Sequence, residues 1–171
     1  MDVKNIVVEP YNPEWSTDFI KIKNEIESVI GDLIIKTEHV GSTSVSGLIA
    51  KPIIDIDVVI RDYTVFDEIE SRLASIGYIY EGDLGIDGRE AFRYDDKSHL
   101  REHHLYVCPE NSMELHRHLT FRDYLRTHPE AVKEYGKTKT EAAEFCQNDI
   151  EKYLEYKTSF ILSIYKICGL I

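Results

Sequence analysis

The stretch that decides the fold is residues 38–60, EHVGSTSVSGLIAKPIIDIDVVI. Apart from two aspartates, its last eight residues are β-branched and apolar, which favours a buried central strand. Asp55 and Asp57 are two positions apart, so their side chains leave such a strand on the same face, with α-carbons roughly 6.5 to 7 Å apart. The sequence therefore predicts two carboxylates that converge on one point beside a sheet.

A pair of acids in an apolar strand needs an explanation. Desolvation and mutual repulsion both raise their pKa values and disfavour the charged forms. A divalent cation removes that cost, and a site with only oxygen ligands favours Mg²⁺ or Mn²⁺. We therefore predict that Asp55 and Asp57 bind the metal. The alternative is a strand end at the surface, where one aspartate forms a salt bridge or caps a loop.

A Gly-Ser pair, Gly41 and Ser42, follows the preceding extended segment, residues 33–40. Glycine lets a phosphate approach the backbone, and Ser42 and the following amides offer donors. If residues 44–50 open a short helix, its N-terminal amides point at the same anion. The turn alone is also compatible with an ordinary β-turn, but its place before the Asp-x-Asp strand predicts phosphate binding by Gly41 and Ser42.

The order of Gly-Ser turn and Asp-x-Asp strand resembles the nucleotidyltransferase fold of the DNA polymerase β superfamily. More narrowly, residues 38–57 resemble the GrpB family, as do VEPYNPEW at 8–15, HHLYV at 103–107 and LTFRDYLRTHP at 119–129. The resemblance implies an α+β fold: a mixed central β-sheet with helices packed on it and a C-terminal helical layer from about residue 111. It also implies a single domain over residues 1–171 and a candidate site.

Enzymes of the polymerase β type generally carry a third carboxylate on a neighbouring strand. The strand predicted at residues 102–108 places Glu102 and His104 on one face. We predict that His104 lines the site with Asp55 and Asp57, and that Glu102 is the second candidate. An imidazole in place of the carboxylate would act as a base or bind a phosphate.

Basic residues near this block are candidate phosphate partners. Lys51 stands between the turn and the Asp strand, and Arg89 and Arg93 share one face of a later predicted strand. We predict that Lys51 and Arg93 contact phosphate. The alternatives are a solvated lysine and arginines paired with local acids such as Glu81 and Asp83.

Seven histidines suggest zinc as another possibility. His103 and His104 would leave a strand on opposite faces, and His116 and His118 would diverge on a helix. This spacing disfavours a zinc site.

Composition narrows the class of protein. The chain has 171 residues, of which 43% are hydrophobic, and this suits one compact domain with its own core. A net charge of −11 disfavours general binding to DNA or RNA. Three distant cysteines and the lack of a recognisable signal peptide predict a reducing cytoplasm. No apolar run approaches the ~20 residues of a membrane span.

Periodicity predicts the remaining elements. A short strand is expected at residues 6–8, and a helix should run from an Asn12 cap to Gly31. Another helix is predicted between Thr64 and Gly77. The C-terminal part should contain helices over residues 112–128 and 129–145, followed by one capped by Asn148 or Asp149.

Together these features predict transfer of a nucleotidyl group from a nucleoside triphosphate to a small-molecule or protein acceptor, with Mg²⁺ at the two aspartates. A nucleotide- or partner-binding domain that retains the fold without catalysis is the alternative. A metal-dependent hydrolase is a third hypothesis.

Overall fold

The computed structural model describes residues 7–146 and 149–171. In chain order the elements are α1 (Glu14–Ile30), β1 (Lys36–Val40), β2 (Ile54–Ile60), α2 (Phe66–Ala74), β3 (Ile79–Gly82), β4 (Glu90–Arg93), β5 (His103–Pro109), α3 (Met113–Thr127), α4 (Pro129–Cys146) and α5 (Ile150–Ile167). Short 3-10 turns lie at Ser42–Ser44 and Tyr63–Val65. The strands and helices alternate only in part, which is typical of an α+β fold.

The five strands form one sheet in the order β1-β2-β5-β4-β3. The central pair, β2 and β5, is parallel, whereas the other neighbours are antiparallel. The predicted mixed sheet and α+β class are therefore confirmed. The register sets Asp55 opposite His104 and Asp57 opposite Tyr106 on β5.

The two faces of this sheet differ in chemistry. On β2, four side chains point to the face covered by α1 and α2 and are fully buried: Ile54, Ile56, Val58 and Ile60. Asp55 and Asp57 alternate with them and so point to the other face. We call this second face the polar face.

The C-terminal helices stand on the side of the polar face. Helix α3 contacts β1 and β5, and its Leu115 packs with Val59 and Cys108. Helices α4 and α5 pack on each other, on α3 and on the segment after the Gly-Ser turn, through the cluster Val45, Leu48, Phe121, Leu125, Ala131, Tyr135, Phe160 and Ile164. The predicted helical layer therefore forms a wall beside the two aspartates.

Several local predictions can be compared with the structure. The Asn12 side chain accepts a hydrogen bond from the Glu14 amide at 2.9 Å and starts α1. Asp149 caps α5 by accepting from the Lys152 amide, while the other candidate, Asn148, lies outside the described residues. The predicted strand at residues 6–8 also falls partly outside them.

One local prediction is wrong. The expected short helix over residues 44–50 does not form; instead a single 3-10 turn covers Ser42–Ser44. Gly47 has a φ of 83°, which turns the chain away, and Ala50 then bridges to Glu9 by two backbone hydrogen bonds of 2.8 and 3.0 Å.

Two further findings bear on localisation. The three cysteines are free thiols. Within the described ranges, every helix is too short or too polar to cross a lipid bilayer. A cytoplasmic location stays a prediction.

Candidate functional site

The two aspartates of β2 lie side by side on the polar face but differ in burial. Asp55 is about one-third exposed, and its Oδ1 is 3.0 Å from Nδ1 of His104. Asp57 is fully buried, and its Oδ2 accepts a hydrogen bond from Nδ1 of His118 at 2.6 Å. The other oxygen of Asp57, Oδ1, is buried without a hydrogen-bond partner among the described residues.

This donor set fits a divalent cation. A buried carboxylate oxygen without a partner is unfavourable unless a ligand completes it. The described part of the chain has no group of three His, Cys, Asp or Glu side chains placed to hold an ion. Mg²⁺, however, is commonly bound by one or two carboxylates together with substrate phosphates and water. Asp55 and Asp57 are therefore the residues that would hold it.

His118, on α3, is a site residue that sequence analysis missed. Its Nδ1 donates to Asp57, and its Nε2 donates to Oε1 of Glu114 at 3.1 Å. Burial alone would lower the pKa of His118, but hydrogen bonds to the two carboxylates raise it to about 10. Burial raises the pKa of Asp57, and the His118 charge opposes this. The spacing of Glu114 and His118, one helical turn apart, was the available sequence signal.

The Gly-Ser turn is packed directly against Asp55. Gly41 has a φ of 72°, and a β-carbon at this position would collide with the Asp55 carboxylate. A glycine is therefore required by both the backbone conformation and the close approach. The turn and the metal-binding candidates are one structural unit.

Ser42 in this turn is held by Lys139 of α4. Nζ of Lys139 donates to Oγ of Ser42 at 2.5 Å and to the carbonyl oxygen of Ile49 at 3.2 Å. Lys139 is only 2% exposed, and burial lowers its pKa well below its usual value. Its partner lies 97 positions away in sequence, which is why local patterns did not reveal it.

Two other lysines lie near Lys139. Nζ of Lys51 is 4.6 Å and Nζ of Lys157 5.5 Å from the ring centroid of Tyr153. Burial lowers the pKa of both lysines; the Asp55 charge opposes the shift at Lys157. None of the described carboxylates forms an ion pair with these two lysines or with Lys139. Three lysines without a counter-ion among the described residues are therefore grouped here, and Lys139 contacts the Gly-Ser turn itself.

The two arginines of the β4 region have different surroundings. Arg93 pairs with Glu81 at 3.7 Å and Asp95 at 2.8 Å, so the local pairing that was the alternative prediction is present. Arg89 instead lines the cavity beside Asp55. The arginine that lies beside the carboxylate pair is therefore Arg89 and not Arg93.

On β5, His104 reaches Asp55, whereas Glu102 is exposed ahead of the strand. The hydrogen bond to Asp55 raises the pKa of His104. Tyr106 occupies the position next to Asp57. The sequence-based choice of His104 over Glu102 as a site-lining residue agrees with this geometry, while its chemical role stays a prediction.

Two neighbouring cavities open on the polar face. The smaller, of about 180 Å³, is lined by Val40, Gly41, Asp55, Arg89, Tyr106 and His118. The larger, of about 580 Å³, extends from His104 and Tyr106 across β4 to residues 93–98. Tyr106 lines both. The carboxylate pair thus adjoins a second space large enough for an organic group.

A family model described as GrpB protein matches residues 5–167. The chain belongs to the GrpB family. It is 34% identical over 151 residues to the UPF0157 protein YqkA of Bacillus subtilis, covering 88% of this chain and 43% of YqkA. It is 32% identical over 159 residues to the glutamate-rich protein GrpB of Alkalihalophilus pseudofirmus, covering 91% of each. The chain therefore spans less than half of YqkA but nearly all of that GrpB.

Solved structures agree with this membership. The crystal structure of the conserved protein GrpB from Enterococcus faecalis has a TM-score of 0.82 and 35% identity, over 94% of this chain and 95% of that one. The Cid1 poly(U) polymerase with bound MgGTP has a TM-score of 0.53 at 12% identity, over 78% of this GrpB-family chain and 44% of Cid1. The latter likeness shows the nucleotidyltransferase fold alone.

Proposed function

We propose that this GrpB-family protein is a metal-dependent nucleotidyltransferase that transfers a nucleotidyl group from a nucleoside triphosphate to a hydroxyl or amine of a small-molecule or protein acceptor. The observation that carries the proposal is the buried Oδ1 of Asp57, which has no hydrogen-bond partner among the described residues and lies on the same sheet face as Asp55 and the Gly41 turn. A cation bound to the phosphates of a nucleotide would account for the free oxygen of Asp57, for the neighbouring Asp55 and for the Gly41 turn beside them.

Asp55 and Asp57 would hold Mg²⁺ or Mn²⁺. When bound, the ion neutralises phosphate charge and stabilises the leaving pyrophosphate. Two protein carboxylates leave the rest of its coordination to phosphate oxygens and water. Metal and triphosphate are therefore expected to bind together rather than separately.

The Gly-Ser turn would bind the β- and γ-phosphates. Gly41 brings the turn close to the Asp55 carboxylate, and the Ser42 hydroxyl offers a donor once a phosphate oxygen is present. Lys51, Lys139 and Lys157 supply nitrogen donors on this side, and Lys139 already contacts Ser42. Fixed donors in a largely buried site act more strongly than they would in water.

His104 would accept the proton of the acceptor. Its Nδ1 faces Asp55, and its side chain is about half exposed next to the larger cavity. The acceptor oxygen or nitrogen forms a bond to the α-phosphorus as the bond to pyrophosphate breaks, and the acceptor proton passes to Nε2 of His104. The Asp55 contact keeps the ring in the tautomer with Nε2 free. The net charge of −11 favours a small or protein acceptor over a long nucleic acid.

The test is calorimetric binding of a non-hydrolysable triphosphate with and without Mg²⁺. We expect Mg²⁺-dependent binding by the wild-type protein and its loss in the double variant Asp55→Asn, Asp57→Asn. Asp67→Asn, on the exposed surface of α2, is the matched control and should bind as the wild type does. Unchanged binding by the double variant would reject the assignment.

One observation favours a second candidate. The β5 position beside Asp57 carries Tyr106 and no carboxylate, which is compatible with a nucleotide-binding domain that does not catalyse transfer. Incubation with labelled triphosphates, Mg²⁺ and a metabolite pool separates the two functions. Pyrophosphate release above the level of the double variant supports the transferase, whereas saturable binding without turnover supports the binding domain.

A further inference from the structure

The strand positions on either side of Asp57 determine how many ions the site can hold. On β1 the neighbour is Glu38, and on β5 it is Tyr106. Because directly paired residues project to the same face of a sheet, these are the side chains that would complete a second metal position next to Asp57.

Neither neighbour is a suitable ligand. Glu38 is already bound by Nη1 of Arg122 at 2.5 Å and Nζ of Lys36 at 2.8 Å. Both carboxylate oxygens of Glu38 are therefore already paired with cations. Tyr106 offers a phenol rather than a carboxylate, and the Arg89 guanidinium covers its ring. Asp55 and Asp57 are left as the available carboxylates, which suit one ion.

Arg89 occupies the space beside Tyr106. Its guanidinium carbon is 4.3 Å from the Tyr106 ring centroid, and stacking of this kind fixes a planar cation in place. Arg89 lines the small cavity together with Asp55 and His118. Its Nε is buried without a hydrogen-bond partner, and no carboxylate of the described residues forms an ion pair with it. A fixed guanidinium with free donors is suited to a phosphate oxygen.

From these observations we infer that the site uses one metal ion, and that Arg89 supplies the positive charge that a second ion provides at sites with more carboxylates. This inference rests on the proposed function. In the reaction Arg89 donates hydrogen bonds to the α-phosphate of the nucleotidyl group that is being transferred and offsets the negative charge that grows on it. Tyr106 is the platform that positions the guanidinium.

The first test counts the ions directly. Mn²⁺ is titrated into the full chain in the presence of α,β-methylene ATP, and free Mn²⁺ is followed by electron paramagnetic resonance. We expect one bound Mn²⁺ per protein–nucleotide complex. Two ions per complex would overturn the inference and leave the proposed function intact. No nucleotide-dependent Mn²⁺ binding would overturn both.

The second test concerns Arg89 itself. Arg89→Ala should retain a single Mn²⁺ but weaken nucleotide binding by about tenfold or more, since a charge-assisted contact to phosphate is lost. Arg89→Lys should recover only part of that affinity. The matched control is Arg93→Ala, on the same sheet face but already ion-paired, and it should change the affinity by less than about twofold. Equal effects of the two alanine variants would contradict the role of Arg89.

A third variant is designed to convert the one-ion site into a two-ion site. Tyr106→Asp combined with Arg89→Ala places a carboxylate beside Asp57 and removes the cation. We expect this double variant to bind a second Mn²⁺ per nucleotide complex, with thermal unfolding used to confirm that it folds. A folded double variant that still binds one ion would argue that position 106 does not border the metal site.

Discussion

The two faces of the sheet are built from the same strands, yet one is a hydrocarbon core and the other carries the candidate site. On β2, Ile56 faces the core with no exposed surface, while its neighbours Asp55 and Asp57 face His104 and His118. Because side chains alternate along a strand, a slip of one residue would exchange the two faces. Burial of the isoleucines therefore also fixes where the carboxylates stand.

The polar face should be the more sensitive to loss of a single partner. His118→Ala leaves the carboxylate of Asp57 buried without its counter-ion, and we expect a loss of about 3–5 kcal/mol in the free energy of unfolding. Urea denaturation measures this. Adding Asp57→Asn to the variant removes the charge and should restore more than half of the loss. His116→Ala, on the exposed side of the same helix, is the control; an equal effect there would contradict the buried ion pair.

Substitutions on the core face should lower the free energy of unfolding through lost packing. Ile56→Ala removes fully buried methyl and methylene groups and leaves a cavity, so we expect a loss of about 2–5 kcal/mol in unfolding free energy. Ile20→Ala, at a position 47% exposed on α1, should cost far less. If the two substitutions cost the same in chemical denaturation, β2 does not separate the faces as described.

A buried histidine on β1 makes the core face sensitive to pH. Burial lowers the pKa of His39 to about 4, and its ring stacks on Phe19 at 4.7 Å. The unfolded chain, with a pKa near 6.5, binds the proton first as the pH falls. Keeping His39 neutral therefore contributes its full share to the free energy of unfolding above about pH 6.5. As the pH falls from 6.5 to 4, this contribution is lost, which lowers the free energy of unfolding by at most about 3 kcal/mol.

The measurement is the free energy of unfolding across this pH range for the wild type and for His39→Gln, which cannot gain a charge. The wild type should lose more stability than the variant as the pH falls from 6.5 to 4. Parallel curves would show that His39 is not held neutral by burial.

The smallest effect is expected for Arg93→Ala. Arg93 is 49% exposed, and exposed ion pairs contribute little, so unfolding free energy should change by less than about 1 kcal/mol. A marked loss of nucleotide affinity in a binding assay would instead restore Arg93 as the phosphate contact that the sequence alone suggested.

Local periodicity revealed the parts of the site that lie on one strand or turn. The alternation in residues 53–60 predicted that Asp55 and Asp57 share a face, and the Gly-Ser pair was placed correctly beside them. The helix boundaries were also close, because caps and apolar spacing are local properties.

Site residues contributed by elements that are distant in sequence could not be predicted from local periodicity. His118 and Lys139 come from helices packed on the polar side, and their partners lie 61 and 97 residues away. Arg89 and Arg93 share one face of the strand predicted from the sequence, and only the folded structure shows that Arg93 is paired with Glu81 and Asp95. The absent helix after Ser44 reflects a tertiary constraint as well, since Ala50 pairs with Glu9.

The hydrogen bond between Ser42 and Lys139 has a consequence for biosynthesis. During translation, every strand of the sheet leaves the ribosome before α4 does, since β5 ends at Pro109 and Lys139 lies beyond it. A nascent or truncated chain that ends after the sheet would hold both aspartates but lack the lysine that secures the serine turn. The candidate phosphate site is thus completed only after α4 has been synthesised and has packed beside the sheet.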